Sequence, residues 1–151
     1  MPAGPTWHLV VLDLMHVTDK TEIDAMLAMK TWAIVGLGDN PSRDAYGIAQ
    51  LLISRGQRIV PVHPLARSVH GQKAYARLAD IPFPVDVVDI FVNSSVADGI
   101  VDEAIAIGAK GVWFQLGVNN PEAAQRVKDA GLLVAVDSCP GIEYLRIPKL
   151  A

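Results

Sequence analysis

Short apolar runs alternate with segments of helical period along most of the chain. Runs rich in Val and Ile lie at 32–35, 58–62, 86–92, 112–116 and 132–136. Parallel neighbouring strands need a crossover connection, and such crossovers are right-handed, so this alternation predicts a parallel sheet with helices on both faces. The almost unbroken apolar character of the runs is typical of strands that are buried on both sides. We therefore predict a doubly wound α/β fold.

Helix signals lie between the apolar runs. Asp19 and Glu22 have the spacing of a capping box and predict a helix over 19–30. Further helices are predicted at 45–55, at 96–107 with Ser95 as its cap, from Asn120-Pro121 to Gly131, and more weakly at 75–78. Residues 1–18 differ from this pattern and are assigned to an N-terminal tail, in which Met15 offers an alternative start to Met1. Residues 19–151 form the predicted domain.

Composition excludes several classes of protein. The chain has 151 residues, with 13 Lys and Arg against 16 Asp and Glu, so its net charge of −3 provides no basic field for nucleic acid. No apolar run approaches the roughly 20 residues that cross a bilayer, and we expect no membrane association. A single cysteine, Cys139, forms no internal disulfide, which fits the cytoplasm. Composition leaves open whether the protein is a monomer or a homodimer.

A glycine turn follows the first core strand. The segment Gly36-Leu37-Gly38-Asp39-Asn40-Pro41-Ser42-Arg43 joins this strand to a helix, where free N–H groups and the helix dipole favour an anion such as phosphate. Arg43 at the mouth of the turn suits phosphate oxygens, and Arg67 or Lys73 could meet another phosphate. A dinucleotide fingerprint would require a glycine at the position of Pro41 and an acid after the second strand. The sequence has neither, so it lacks this fingerprint. A tight turn without any ligand stays an alternative.

Five motifs in order resemble a known family. They are Gly36-Leu37-Gly38-x-Asn40-Pro41-x-Arg43, Val60-Pro61-Val62-His63-Pro64, Val85-Asp86-Val87-Val88-Asp89-Ile90-Phe91, the stretch from Ala104 to Gly117, and Asp137-x-Cys139-Pro140. They are similar to those of the small stand-alone CoA-binding proteins and of the N-terminal CoA-binding domain of the succinyl-CoA synthetase alpha subunit. The resemblance covers about 19–147 and implies a Rossmann-like fold with a five-stranded parallel sheet that binds coenzyme A.

The resemblance also implies which residues bind the coenzyme. The turn and the basic position correspond to Gly36, Gly38, Asp39, Asn40, Pro41 and Arg43. The loop after the second strand corresponds to Val62, His63, Pro64 and Arg67, and the ends of the next two strands to Val92, Asn93, Ser94, Phe114, Gln115 and Leu116. Relatives often carry basic residues at the positions of Asn93, Ser138 and Gly141, so this chain has fewer cations near the expected site.

No residue pattern indicates catalysis. Cys139, His63, His70 and Asp137 are expected at the same edge of the sheet, but their spacing matches no nucleophile or zinc signature. The larger synthetases carry their phosphorylated histidine on a further domain, and this chain ends at Ala151. We therefore expect a CoA or acyl-CoA binding protein rather than an enzyme. The alternatives are an NAD or other nucleotide-binding redox enzyme or sensor, and an interaction protein that has lost its ligand.

Overall fold

The structure is a computed structural model that describes residues 19–146. The predicted N-terminal tail, residues 1–18 with Met15, lies outside the described residues, as do residues 147–151. The strands are β1 Thr31–Val35, β2 Arg58–Val62, β3 Ser68–Val69, β4 Gln72–Lys73, β5 Val87–Ile90, β6 Gly111–Gln115 and β7 Leu133–Ser138. The α-helices are α1 Lys20–Leu27, α2 Asp44–Ser54, α3 Ala97–Ala106, α4 Pro121–Asp129 and α5 Pro140–Arg146. Short 3₁₀ helices lie at Leu78–Asp80 and Ser94–Val96.

Five parallel strands form the main sheet in the order β2-β1-β5-β6-β7. Strand β1 lies between β2 and β5, and it places Trp32 opposite Ile59 of β2 on one side and opposite Val87 of β5 on the other. The chain therefore runs from β1 outward to β2 and then crosses back over β1 to reach β5. The predicted five-stranded parallel sheet is confirmed, and its strand order reverses between β1 and β5. Ligands of open α/β sheets bind in the crevice at the carboxyl ends of such strands.

Helices cover both faces of the sheet, as predicted. Trp32 and Ile34 of β1 pack on the side of α1, α2 and α5, whereas Ala33 and Val35 pack on the side of α3 and α4. Because side chains of a strand alternate between faces, each inner strand contributes to two separate apolar clusters. The Val- and Ile-rich runs are consequently buried on both sides. None of the helices between residues 19 and 146 has the length and apolar character needed to cross a membrane.

The helix α5 is an element that the sequence analysis did not assign. It packs on α1 through side chains about 120 positions apart in the sequence. Lys20 Nζ lies 3.1 Å from Glu143 Oε1, and Tyr144 Oη donates a hydrogen bond of 3.1 Å to the Leu27 carbonyl. Tyr144 Oη also accepts from Gln57 Nε2 at 2.5 Å. These contacts join the first and last described helices on one face of the sheet.

The predicted helix at 75–78 is wrong. Tyr75 is extended, and its backbone pairs with the outer edge of β2: its N–H donates to the Pro61 carbonyl at 3.0 Å, and its carbonyl accepts from His63 N–H at 2.9 Å. An exposed strand edge carries unpaired backbone groups, and these bonds satisfy part of that edge. The nearest helical segment is a single 3₁₀ turn at Leu78–Asp80.

Two smaller features also differ from the sequence predictions. Ser95 does not cap the helix α3, because a 3₁₀ turn precedes that helix and the Asn93 side chain accepts from Ser95 N–H. The antiparallel hairpin of β3 and β4 was not predicted. Its turn is made by His70 and Gly71, both with positive φ (52° and 75°), as a two-residue hairpin turn requires.

Candidate functional site

The turn after β1 brings the backbone close to two neighbouring segments. Gly36 has a φ of 97°, and a Cβ there would lie 3.3 Å from Val92 Cγ1 and 3.4 Å from Phe91 Cβ. A Cβ at Gly38 would lie 3.3 Å from the His63 ring atoms Cδ2 and Nε2. Glycine at these positions therefore lets the turn approach the ends of β5 and β2. The carboxyl ends of three adjacent strands meet at this turn.

The rest of the turn is held by its own hydrogen bonds. Asn40 Oδ1 accepts from Ser42 N–H at 3.0 Å and from Ser42 Oγ at 2.7 Å. The Arg43 N–H donates to the Asn40 carbonyl at 3.1 Å. The Asn40 side chain thus shapes the turn rather than reaching outward. The structure places Asp39 and Pro41, its exposed neighbours, at the surface of the turn.

The helix α2 begins at this turn without a side-chain cap. Arg43 occupies the cap position with φ −86° and ψ 144°, and its side chain makes no capping hydrogen bond. By contrast, Asp19 caps α1 with an acceptor for Thr21 N–H, and Asn120 caps α4 with an acceptor for Ala123 N–H. The first N–H groups of α2 are therefore available to an anion at the carboxyl edge of the sheet. The Arg43 guanidinium forms no ion pair within residues 19–146 and adds a cation there.

A first cleft of about 970 Å³ opens beside the turn. This volume is within the range of about 300–1,000 Å³ that is typical of small-molecule sites. It brings together nine of the residues predicted to bind the coenzyme: Gly36, Gly38, Asp39, Asn40, Arg43, Val62, His63, Pro64 and Val92. The turn forms one side of this cleft, and residues on the face of the sheet that α3 covers form the other side. The cleft therefore crosses the carboxyl edge of the sheet.

The side of the first cleft opposite the turn was not anticipated from the sequence. We call it the Arg77 wall, and its residues are Arg77, Leu78, Val96, Ile100 and Glu103. Val96 is 51% exposed, and Glu103 Oε1 is buried without a hydrogen-bond partner among the described residues. The Arg77 guanidinium has no ion pair there either. The helical spacing of Ile100 and Glu103 was the only available signal, since the 3₁₀ turn that brings Arg77 beside them is set by tertiary packing.

A second cleft of about 590 Å³ lies on the other side of Arg43. Of the predicted residues, Pro41, Arg43, Gln115 and Leu116 line it, together with Phe91, Val118 and Cys139. Residues 42–44 line both clefts, so the two meet at the N-terminus of α2. Gln115 is only 6% exposed, and its Oε1 has no hydrogen-bond partner among the described residues. An amide N–H of a ligand would satisfy that buried oxygen.

Four of the predicted residues line neither cleft. Phe114 is fully buried in the apolar cluster under α3 and α4, because it points to the face opposite that of Gln115. Ser94 Oγ accepts from Asn119 N–H at 2.8 Å. Asn93 caps its 3₁₀ turn, and Arg67 is exposed outside both clefts. These positions support the loops around the site or lie apart from it.

His63, His70 and Asp137 each form a hydrogen bond with a backbone group of the protein. His63 Nδ1 accepts from Leu65 N–H at 3.1 Å, and His70 Nε2 donates to the Tyr46 carbonyl at 2.9 Å. Asp137, with a φ of 47°, accepts from Gly117 N–H at 3.1 Å. These contacts orient loop segments at the carboxyl edge of the sheet. Across residues 19–146, no three His, Cys, Asp or Glu side chains are grouped so that they could hold a metal ion.

One buried carboxyl group lies behind the site. Asp89 in the middle of β5 is 0% exposed, and neither carboxyl oxygen has a hydrogen-bond partner among the described residues. It stands between Ile34 and Trp113 in the sheet and lines neither cleft. Burial in this apolar environment raises the pKa of Asp89 well above its usual value, because the charged form loses its hydration.

Comparison with known proteins decides the family. The sequence profile described as a CoA binding domain matches residues 30–145. The chain belongs to this CoA-binding domain family. The matched range includes both clefts and every strand of the main sheet. The predicted resemblance to the CoA-binding family is therefore confirmed.

Relatives of this CoA-binding domain include small proteins of similar length. An uncharacterized protein of Bacillus subtilis, YneT, is 34% identical over 126 residues, covering 83% of this chain and 93% of the relative. A solved structure of a hypothetical protein from Pyrococcus horikoshii superposes with a TM-score of 0.81 at 32% identity, covering 97% of each chain.

A larger relative shares the fold in part of its length. It is the dinucleotide-forming acetyl-coenzyme A synthetase 1 of Ca. Korarchaeum cryptofilum, solved in complex with phosphate and ADP. The two superpose with a TM-score of 0.64 at 27% identity, over 73% of this chain and 26% of the synthetase chain. The domain therefore occurs both in small proteins and in a segment of a synthetase.

Proposed function

We propose that the protein binds CoA or acyl-CoA, with the pyrophosphate at the N-terminus of α2 and the two ends of the coenzyme in the two clefts. The observation that carries this proposal is the meeting of both clefts at residues 42–44, where an uncapped helix N-terminus and Arg43 offer donors and positive charge. In CoA, the pyrophosphate joins the nucleotide to the pantetheine arm. A site with anion donors at its centre and a cleft on either side suits that arrangement.

The second cleft suits the pantetheine arm. This arm is mostly apolar but carries two amide groups, and the cleft combines apolar Phe91, Leu116 and Val118 with the unpartnered Gln115 Oε1. An amide N–H of the arm would supply the missing hydrogen bond. Cys139 lies in the same cleft, so the thiol or acyl end would lie near it.

Binding can be tested on the purified protein by following its melting temperature and by calorimetry. A ligand that binds only the folded state stabilises it, so millimolar CoA is expected to raise the midpoint of unfolding. Arg43→Ala is expected to weaken CoA binding by about 1–3 kcal/mol, because it removes hydrogen bonds between charged groups. Lys30→Ala is the matched control, since Lys30 precedes β1 and lies at the opposite edge of the sheet.

The outcomes separate the proposed function from its rivals. No stabilisation at millimolar CoA would contradict the proposal, whereas unchanged affinity in Arg43→Ala would remove that residue from the site. Stronger stabilisation by NAD than by CoA would favour a redox protein instead. Native mass spectrometry of protein released from cells would detect copurified CoA and report whether the protein is a monomer or a dimer.

We also propose that the protein is cytoplasmic and that it holds or presents the coenzyme without transforming it. The engagement of His63, His70 and Asp137 in hydrogen bonds to backbone groups of the protein supports this role. Incubation with acetyl-CoA while free thiol is measured is expected to give no release above the protein-free control. Release that requires Cys139 would show instead that the protein is an enzyme.

A further inference from the structure

The Arg77 wall and the glycine turn face each other across the carboxyl edge of the sheet. Leu78 of the wall packs into the apolar cluster of α3 and α4, whereas α2 covers the other face. If the pantetheine arm fills the second cleft, the nucleotide end of the same ligand extends from Arg43 into the first cleft. The Arg77 wall then meets the part of the coenzyme beyond the pyrophosphate.

The wall has three chemically distinct parts. Glu103 Oε1 is a buried acceptor without a donor among the described residues, and buried polar atoms in folded proteins are nearly always paired. The exposed side chain of Val96 and its neighbour Ile100 offer an apolar surface. Arg77 is an exposed cation that forms no ion pair within residues 19–146. Together these groups suit a flat ring that carries an N–H donor and is linked to an anion.

We propose that the Arg77 wall is a subsite for adenosine 3′-phosphate, in which Glu103 accepts from the 6-amino group of adenine and Arg77 pairs with the 3′-phosphate. The ring lies against Val96 and Ile100. The subsite makes the protein prefer CoA to its 3′-dephospho form and to analogues that lack the amino hydrogens. This inference rests on the proposed function and adds to it the residues that select the nucleotide end. Arg77 also supplies a cation that the positions of Asn93, Ser138 and Gly141 lack.

Calorimetry with two ligand pairs tests the phosphate contact and the base contact separately. CoA and 3′-dephospho-CoA differ only in the 3′-phosphate, and CoA and 1,N6-etheno-CoA differ at the 6-amino group. The wild-type protein is expected to prefer CoA about tenfold or more within each pair, the usual worth of a charge-assisted hydrogen bond. Arg77→Gln is expected to bring the first ratio to within about twofold of unity. Glu103→Met, which keeps the side-chain length without an acceptor, is expected to do the same to the second.

The affinity ratios distinguish the possible failures. Lys30→Gln removes one positive charge far from the clefts and is expected to leave both ratios at their wild-type values. An unchanged ratio for dephospho-CoA in Arg77→Gln overturns the inference, and so does an unchanged ratio for etheno-CoA in Glu103→Met. Failure of the wild-type protein to bind any of the three ligands would instead refute the proposed function. Because each ratio is measured on one variant, a general loss of stability does not imitate the expected result.

Discussion

Asp89→Asn is expected to remove a pH dependence from the folding stability. Asp89 is fully buried with both oxygens unpartnered, and burial raises its pKa in the folded state. Above the unfolded-state pKa of about 3.9, the folded protein therefore retains a proton that the unfolded chain releases. The free energy of unfolding then falls as the pH rises from this value to the folded-state pKa, by up to about 1.4 kcal/mol per pH unit. Asparagine has a similar shape and does not titrate.

Urea unfolding of the two proteins between pH 4 and pH 7.5 measures this effect directly. The free energy of unfolding of the wild type, minus that of Asp89→Asn, is expected to decrease with rising pH for as long as the pH stays below the raised folded-state pKa of Asp89. Other titrating groups are common to both proteins and cancel in the difference. A difference that stays constant across the range would refute the reasoning, since it would mean that Asp89 has the same pKa folded and unfolded.

A second variant separates ionisation from the missing hydrogen bonds. Asp89→Val removes the titrating group and also the buried polar atoms, which Asn retains. Its stability is expected to exceed that of Asp89→Asn by about 1–3 kcal/mol at every pH, because no buried polar group is left unpaired. Equal stability of the two variants would indicate that the Asn side chain finds partners in this part of the sheet.

Two further substitutions test the site and the packing of the last helix. Asp44→Asn is expected to strengthen CoA binding roughly twofold to fivefold in low-salt calorimetry, because Asp44 lines both clefts and repels an anion; equal affinities would contradict this. Tyr144→Phe removes hydrogen bonds to Leu27 and Gln57, so the free energy of unfolding in urea is expected to fall by about 0.5–1.5 kcal/mol per bond lost. An unchanged urea midpoint would show that these bonds add nothing to stability.

The sheet could be predicted because its strands carry a strong local signal. The run at 58–62 coincides with β2, and the helix predicted at 96–107 differs from α3 by one residue at each end. The hairpin of β3 and β4 has strands of two residues, too short to show any periodicity. Tyr75 was assigned to a helix because the sequence does not show that the edge of β2 needs a backbone partner.

Local chemistry predicted the site where one loop carries it, and the family resemblance added cleft residues from the ends of other strands, namely Val62, His63, Pro64, Val92, Gln115 and Leu116. The turn from Gly36 to Arg43 is continuous in the sequence, so its glycines and arginine were recognised together. Arg77 and Glu103 are 26 positions apart and are brought to one wall by packing of a 3₁₀ turn on α3. Phe114 was included with its neighbours, although alternation along β6 turns it away from the second cleft.

The contacts between α1 and α5 bring the two ends of the described domain together. Lys20 pairs with Glu143 and Tyr144 reaches Leu27, so residues near the two ends of the described part hold each other in place. Such a chain can be joined end to end and opened elsewhere, for instance at the exposed Gly71 in the turn between β3 and β4, with little change to its interior. A circular permutant of residues 19–146 opened there is therefore expected to fold with both clefts intact. Removing α1 or α5 would deprive the other helix of these contacts.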